Sequence, residues 1–248
     1  MTAASSSPST PRPTIVLVHG AFADSSSWNG VVPELQRRGY HVVAIANPLR
    51  GLSSDAEYLR SFLDTRDGPV VLAGHSYGGV VMSEAAEGSS VVAALVYLAS
   101  FTLEVGESAD DLTTKFPGAE LGSAAEPVPF PTADGDTGSD VYIQQDRFNE
   151  VFAADVAPDI ARVMAVTQRP IAGSALTDTA TRAAWRSIPS WTMVANQDLA
   201  IPAESQRFMA ERAQSHTVEI DASHAVTVSQ PKAVADLIDA AARGVTDL

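Results

Sequence analysis

Apolar and polar positions follow a repeating order along this chain, in which short runs rich in Val, Ile and Leu are followed by stretches with helical spacing. The runs 70–73 and 91–98 carry almost no polar position, which is typical of parallel strands covered on both faces. The pattern predicts an α/β fold, with a mostly parallel sheet of about six strands flanked by helices. Strands are expected at 14–18, 41–46, 70–73, 91–98, 190–195 and 216–220, and helices around 28–38, 55–63, 78–87, 203–213 and 232–243.

The alternation stops between residues 101 and 188. A loop rich in Gly, Pro, Ser and Asp runs to Gly138, and one or two amphipathic helices are expected within 141–167. A structureless loop of that length is unusual unless it forms a lid, so we expect 101–188 to be an inserted, mainly helical cap. The core is then split into 14–100 and 189–248. Six apolar residues of the cap could line a pocket or form the cap's own core: Phe116, Phe130, Tyr142, Phe148, Phe152 and Met164.

Composition and charge argue against two classes of binding partner, nucleic acid and membranes. The chain has 248 residues, 45% of them hydrophobic, and a formal net charge of -14, which would repel nucleic acid and anionic lipid surfaces. No apolar run is long enough to cross a bilayer, and segment 1–13 is expected to be a disordered tail with no hydrophobic centre like that of a signal peptide. We therefore expect a cytoplasmic protein with neither nucleic-acid nor membrane partners. The oligomeric state stays open.

The segment Gly74-His75-Ser76-Tyr77-Gly78-Gly79 lies between a predicted buried strand and a predicted helix. A serine hydroxyl is a weak nucleophile and needs a sharp turn that exposes its oxygen to a base. Glycines permit such a turn because they tolerate backbone angles that a side chain forbids. A G-x-S-x-G sequence between a strand and a helix therefore predicts a nucleophile elbow with Ser76 at its tip.

Asp198 and His224 each come just after a later strand. The carboxyl ends of parallel strands meet at one edge of a sheet, so we expect both residues to lie near Ser76. Glu104, just past the 91–98 strand, is the alternative acid, whereas Asp221 is too near His224 in sequence to be preferred.

Four other histidines could compete with His224 for the role of base. His41 and His216 stand at strand starts, where a solvated edge position explains them. His19 and His75 lie inside motifs, and we expect them to form hydrogen bonds that orient the two oxyanion loops rather than to transfer protons.

The first strand ends in His19-Gly20-Ala21-Phe22. Together with Ser76, Asp198 and His224 in that chain order, this turn resembles the α/β-hydrolase fold family, in particular its small-lidded group of plant methylesterases, hydroxynitrile lyases and bacterial carboxylesterases. The resemblance covers 14–243. It implies that Ser76 is the nucleophile, His224 the general base and then acid, and Asp198 the group that orients the imidazole. It also implies an oxyanion hole of backbone N–H groups from Tyr77 and Ala21, with Phe22 as the neighbouring candidate.

Two positions depart from the lyases of that group, which carry threonine after the first-loop histidine and lysine after the catalytic histidine. Here these positions are Gly20 and Ala225, so no cation is evident for a leaving cyanide. We predict a serine hydrolase that cleaves a small to medium apolar carboxylic ester or lactone through an acyl-enzyme, with no cofactor. No histidine spacing suggests a metal site. The alternatives are a lyase or other acyl-transfer enzyme with the same three residues, and a ligand receptor without catalysis.

Overall fold

A six-stranded sheet forms the centre of the molecule. In a computed structural model, which describes residues 12–132 and 135–246, its strands are β1 (Thr14–Val18), β2 (Val42–Ile45), β3 (Val70–His75), β4 (Val92–Leu98), β8 (Ser190–Ala195) and β9 (His216–Ile220). Every strand pairing in this sheet is parallel, and the strand order is β2-β1-β3-β4-β8-β9. The predicted α/β class and mostly parallel sheet are thus confirmed.

Helices cover both faces of this sheet. Successive residues of β1 point to opposite sides, so Val16 and Val18 join one apolar core while Ile15 and Leu17 join the other. Burial of both faces explains why the central strands read as continuous apolar runs. The helices of this core are α1 (Val31–Arg37), α2 (Leu52–Leu63), α3 (Tyr77–Ala86), α8 (Ala203–Arg212), α9 (Val226–Ser229) and α10 (Pro231–Thr246).

The predicted helix around 28–38 is wrong in its first turn. A 3-10 helix, Ser25–Trp28, comes first, and α1 begins only at Val31. Asp24 caps the start of the 3-10 helix by accepting the Ser26 N–H at 2.7 Å, and at its other end the Asn29 N–H donates to the Ser26 carbonyl at 3.0 Å, before α1 begins.

Between β4 and β8 the chain leaves the sheet and forms a cap of helices and strands. The expectation of a loop through Gly138 is wrong, because a second, antiparallel sheet of three strands lies in this insertion. Helices still make up more of the insertion than strands do, as expected. The strands of this second sheet are β5 (Ala125–Pro131), β6 (Thr137–Ile143) and β7 (Ile171–Ala172). The helices of the cap are α4 (Ala109–Thr114), α5 (Gln145–Phe152), α6 (Pro158–Thr167) and α7 (Gly173–Thr177), with 3-10 turns at Leu121–Ala124 and Ala184–Arg186.

Three prolines make the sequence of β5 look like a loop rather than a strand. Pro127, Pro129 and Pro131 alternate along the strand, which pairs with β6 on one side only. Proline has no N–H to donate to a neighbouring strand, so it is tolerated where that position faces away from the ladder. The same residues that suggest a loop therefore protect the free edge of this sheet.

The amino-terminal prediction falls partly outside the described residues. Residues 1–11 of the predicted tail lie there, whereas Arg12 lies over the Tyr40 ring and Pro13 is buried. In the part of the chain that the structure covers, no helix is both long and apolar enough to cross a membrane.

Candidate active site

Ser76 occupies the turn between β3 and α3 with a strained backbone. Its φ of 53° and ψ of -128° lie where a side chain costs on the order of 1–3 kcal/mol. The flanking glycines allow strand and helix to approach: a Cβ on Gly74 would lie 2.6 Å from the Gly79 nitrogen, and a Cβ on Gly78 would overlap the Val18 carbonyl oxygen. The G-x-S-x-G segment thus has the geometry of a nucleophile elbow.

The loop after β1 lies directly against Ser76. A Cβ on Gly20 would be 2.7 Å from the Ser76 Cβ and 2.8 Å from the His75 carbonyl oxygen, so this loop approaches the elbow only because residue 20 is glycine. His19 fixes the loop from behind. Its Nε2 accepts the Asn47 N–H at 3.0 Å, which leaves Nδ1 to donate to the Gly20 carbonyl at 2.9 Å. Burial lowers the pKa of His19, so it stays neutral and orients the loop as expected.

Two of the three predicted oxyanion donors have free N–H groups. Among the described residues, the backbone N–H groups of Ala21 and Tyr77 donate to no acceptor. The Phe22 N–H instead donates to the Arg169 carbonyl of the cap at 2.9 Å. The suggestion that Phe22 provides an oxyanion donor is therefore wrong, since its N–H is already used.

A carboxylate holds one nitrogen of the His224 imidazole. Asp198 Oδ2 lies 2.7 Å from His224 Nδ1, and both side chains are buried. The other oxygen, Oδ1, accepts the N–H groups of Ala200 and Ile201 at 2.7 and 2.9 Å. These contacts hold the carboxylate against the imidazole and select the tautomer with the proton on Nδ1.

Gln206 of α8 completes this arrangement, and sequence reasoning did not identify it. Its Nε2 donates to Asp198 Oδ2 at 2.8 Å and to the Ile201 carbonyl at 2.9 Å, while its Oε1 accepts the Ala195 N–H at 3.0 Å. The side chain is buried. All of its amide hydrogen-bonding groups are thus used to hold the end of β8 and the carboxylate together.

Ser76 and His224 are both buried, and neither Ser76 Oγ nor His224 Nε2 makes a hydrogen bond with another described residue. The bond that would join the two is therefore not formed in this structure. Such contacts are often loose without substrate and shorten when it binds.

His75 has a different role from the one expected of it. Rather than orienting an oxyanion loop, its Nε2–H donates to the backbone carbonyl of His224 at 2.8 Å, and the two rings lie 4.8 Å apart. The residue before the elbow therefore holds the loop of the candidate base. Burial, together with the charge that His224 can carry, lowers the pKa of His75 to about 3.

This buried histidine predicts acid sensitivity. The folded protein keeps His75 neutral, whereas the unfolded chain takes up the proton below a pH of about 6.5. Its contribution to stability is therefore complete above that pH and is lost as the pH falls towards 3, by on the order of 1.4 kcal/mol per pH unit. Urea unfolding of the wild type and of His75→Gln at pH 7 and pH 5 should show a smaller loss of unfolding free energy in the variant. His41→Gln, at an exposed position, is the control and should keep the wild-type loss; equal losses in all three proteins would contradict this origin.

The cap contacts the base directly through the end of α5. The Phe152 ring lies 4.9 Å from the His224 ring in an edge arrangement, and the Phe152 carbonyl accepts the Ala225 N–H at 2.9 Å. Ser223 bonds Asp155 just beyond the same helix. The loop that carries His224 is thus tied to the cap on both sides of the imidazole.

A second buried pair lies beneath the elbow. The Tyr77 hydroxyl donates to Asp55 Oδ2 at 3.0 Å, and Asp55 also accepts the Arg50 N–H. Burial raises the pKa of both the Tyr77 phenol and the Asp55 carboxyl, and the charge of Asp55 raises that of Tyr77 further. This bond anchors the side chain of Tyr77, whose backbone N–H is one of the free donors.

The alternative acids are engaged elsewhere. Glu104 forms an ion pair with Arg186 at 2.7 Å on the surface, and Asp221 accepts a bond from the Asn196 amide at 3.1 Å. Asp198 is the carboxylate in contact with His224. Within 12–132 and 135–246, no group of three His, Cys, Asp or Glu side chains is placed to hold a metal ion.

The six apolar residues of the cap divide between both expected roles. Phe148 and Phe152 are buried in the core, whereas Met164 lines an open cleft beside α6. Phe116 packs against Phe208 at 5.8 Å, and Phe130 lies under the Arg50 guanidinium; Tyr142 is half-buried.

The chain belongs to the alpha/beta hydrolase family, whose model matches residues 15–237. It is 29% identical over 254 residues to alpha/beta hydrolase nvfD of Aspergillus novofumigatus (strain IBT 16806), covering 93% of this chain and 97% of that one. It is 28% identical over 259 residues to the pyrethroid hydrolase of Sphingobium wenxiniae (strain DSM 21828), covering 92% and 88%. The crystal structure of polyneuridine aldehyde esterase superposes with a TM-score of 0.78 at 19% identity, covering 93% and 99%. The protein is therefore an α/β-hydrolase with esterase-like relatives.

Proposed function

We propose that this protein is a serine hydrolase that cleaves a carboxylic ester or lactone through an acyl-enzyme intermediate. His224 takes the proton of the Ser76 hydroxyl as its oxygen attacks the carbonyl, and returns a proton to the leaving alcohol. Water, activated by His224 in the same way, then releases the acid and restores the Ser76 hydroxyl. Asp198 stabilises the imidazolium that forms in each step.

The proposal is carried by one observation: the imidazole of His224 has its Nδ1 2.7 Å from a buried carboxylate, and its loop is bonded to His75, which directly precedes the serine on the strained elbow. The residue next to Ser76 is hydrogen-bonded to His224 itself, so the two loops are held close together. The free N–H groups of Ala21 and Tyr77 supply donors for a developing oxyanion. A protein that only binds a ligand has no need for this combination.

Lyase chemistry of the hydroxynitrile type is disfavoured at Gly20. A threonine there would place its Cβ 2.7 Å from that of Ser76, so the loop cannot carry the hydroxyl group found in those lyases unless the elbow moves. Ala225 is buried, and no cation stands after the candidate base.

Short p-nitrophenyl esters and a fluorophosphonate probe test the proposal on the wild-type protein. We expect release of p-nitrophenol, and a gain of one probe adduct in the intact mass because the activated serine attacks phosphorus. The pyrethroid hydrolase among the relatives motivates the inclusion of bulky apolar esters in the substrate panel. A folded protein that neither turns over any ester nor gains the adduct would reject the hydrolase proposal in favour of a receptor.

A further inference from the structure

One oxygen of Asp198 accepts hydrogen bonds from two side chains at once. Oδ2 lies 2.7 Å from His224 Nδ1 and accepts the Gln206 Nε2–H at 2.8 Å. An sp² oxygen accepts along two directions near the plane of its carboxylate, so a donor held at one of them leaves the other for the imidazole. All three residues are buried, where a hydrogen bond is stronger than in water. The Gln206 amide therefore determines which direction of Oδ2 is left for His224.

Gln206 connects the carboxylate to a different element of the fold. The two N–H groups on Oδ1 come from Ala200 and Ile201, which follow Asp198 in the same loop and hold it only relative to that loop. Gln206 belongs to α8, and its Oε1 accepts the N–H of Ala195, the last residue of β8, at 3.0 Å. The amide thus links Oδ2 to the end of a buried strand.

The partners of the side chain at position 206 require an amide. Its NH₂ group faces two acceptors, Asp198 Oδ2 and the Ile201 carbonyl, whereas its Oε1 faces one donor, the Ala195 N–H. A flipped amide would set its oxygen against two oxygens, so the network fixes one orientation. A carboxylate would lack the N–H donors, and a lysine would lack the acceptor. Glutamine has both the donors and the acceptor that these three partners need.

We propose that Gln206 is a positioning residue for ester hydrolysis: acting through Asp198, it holds the His224 imidazole at the angle from which Nε2 can take the Ser76 proton. The proposal rests on the proposed function and adds a residue to it. In the described part of the chain, Gln206 bonds the carboxylate and not the imidazole, so its effect on the base passes through Asp198. Proton transfer depends on such support, because a misplacement of about 1 Å can cost about 100-fold in rate.

Gln206→Met removes the amide but keeps an unbranched side chain. We expect kcat for p-nitrophenyl acetate to fall by about 10- to 100-fold and KM to stay within about twofold, as for an interaction that acts on the transition state alone. Ser205→Ala is the matched control, because Ser205 is the buried neighbour on α8 and its hydroxyl donates to the Leu112 carbonyl of α4. Its kcat should stay within about twofold of wild type. Equal kcat values in both variants, or a rise of KM without a fall of kcat, would overturn the proposal.

A double-mutant cycle tests whether Gln206 acts through the carboxylate. In an Asp198→Ala background the imidazole has already lost its partner. Adding Gln206→Met should then change kcat by less than about threefold. A further fall as large as that in the wild-type background would mean that Gln206 acts by another route, and would overturn the proposal.

NMR of the wild type tests the same link without a substitution and without an ester. Gln206 Nε2–H and His224 Nδ1–H share one oxygen, so protonation of His224 Nε2 draws electron density from Oδ2 and weakens the bond from Gln206. The side-chain amide signal of Gln206 should therefore shift over the same pH range as the ring signals of His224. His75, whose ring lies 4.8 Å from that of His224, titrates separately because burial lowers its pKa to about 3.

The NMR result separates this proposal from the hydrolase proposal. An amide signal of Gln206 that stays constant while His224 titrates would overturn the positioning role, even if esters are hydrolysed. Absence of ester turnover in the wild type would instead overturn the hydrolase proposal, and the amide signal would still decide whether Gln206 holds His224 through Asp198.

Discussion

Replacing Ser76 with alanine is expected to lower kcat for ester hydrolysis by about 10⁴ to 10⁶ fold and to abolish the fluorophosphonate adduct. Without the oxygen, His224 has no hydroxyl to activate, and only the N–H donors and substrate binding can still assist water. The strained backbone at Ser76 accepts alanine as readily as serine, because both carry a single Cβ. The fold should therefore persist. A fall in kcat in steady-state kinetics, and the missing adduct in the intact mass, will then report the loss of the serine oxygen.

Ser83 provides a control for that substitution. It is a buried serine of α3 whose hydroxyl lies near that of Tyr97 and contacts none of the candidate catalytic side chains. Ser83→Ala should keep activity within about twofold of wild type, since the bonds among Asp198, His224 and Gln206 stay intact. If Ser76→Ala retained most of the activity, or kept the adduct, the nucleophile would have to be sought elsewhere.

Asp198→Asn is expected to reduce kcat by about 10⁴ fold while the protein stays folded. The two carboxylate oxygens of Asp198 together accept four N–H groups, from His224, Gln206, Ala200 and Ile201. An asparagine amide has only one oxygen, so its NH₂ group must face two N–H donors in either orientation. These donors are His224 and Gln206, or Ala200 and Ile201. Facing His224, the NH₂ group would favour the tautomer with the proton on Nε2, which cannot accept the serine proton.

Glu104→Gln is the matched control, because Glu104 is the other carboxylate that the sequence offers for this role. It pairs with Arg186 at the surface, and exposed pairs contribute about 0–1 kcal/mol. Its kcat should stay near the wild-type value. A large loss in Glu104→Gln together with near-normal activity of Asp198→Asn would reverse the assignment of the acid.

The sheet and the loops at its edge could be predicted because each rests on local sequence. The buried strands read as apolar runs, and Gly74 and Gly78 mark a close approach that the structure contains. The sequence Asp198-x-x-Ile201-Pro202 resembles the acid loop of the α/β-hydrolase family, and this resemblance favours Asp198 over Glu104. In the structure that loop turns the N–H groups of Ala200 and Ile201 onto the carboxylate.

The features that were missed depend on distant contacts. Gln206 lies on a helix with a weak apolar pattern, and only the packing of α8 against β8 brings its amide to Asp198. His75 stands inside the elbow motif, but its partner is 149 residues away. The prolines of β5 make the hairpin of β5 and β6 look like a loop in the sequence, because no local signal shows which edge of a strand is left unpaired.

The attachment of α5 to the loop of His224 limits how the cap can move away from the candidate active site. Ala225 and Ser223 are bonded to the stretch from Phe152 to Asp155, so a hinge that swung the entire insertion outwards would drag the imidazole out of register with Ser76. Reactants and products must then exchange by smaller local displacements that leave α5 in place. With such small displacements, Ser76, Asp198 and His224 would keep their relative positions from one turnover to the next.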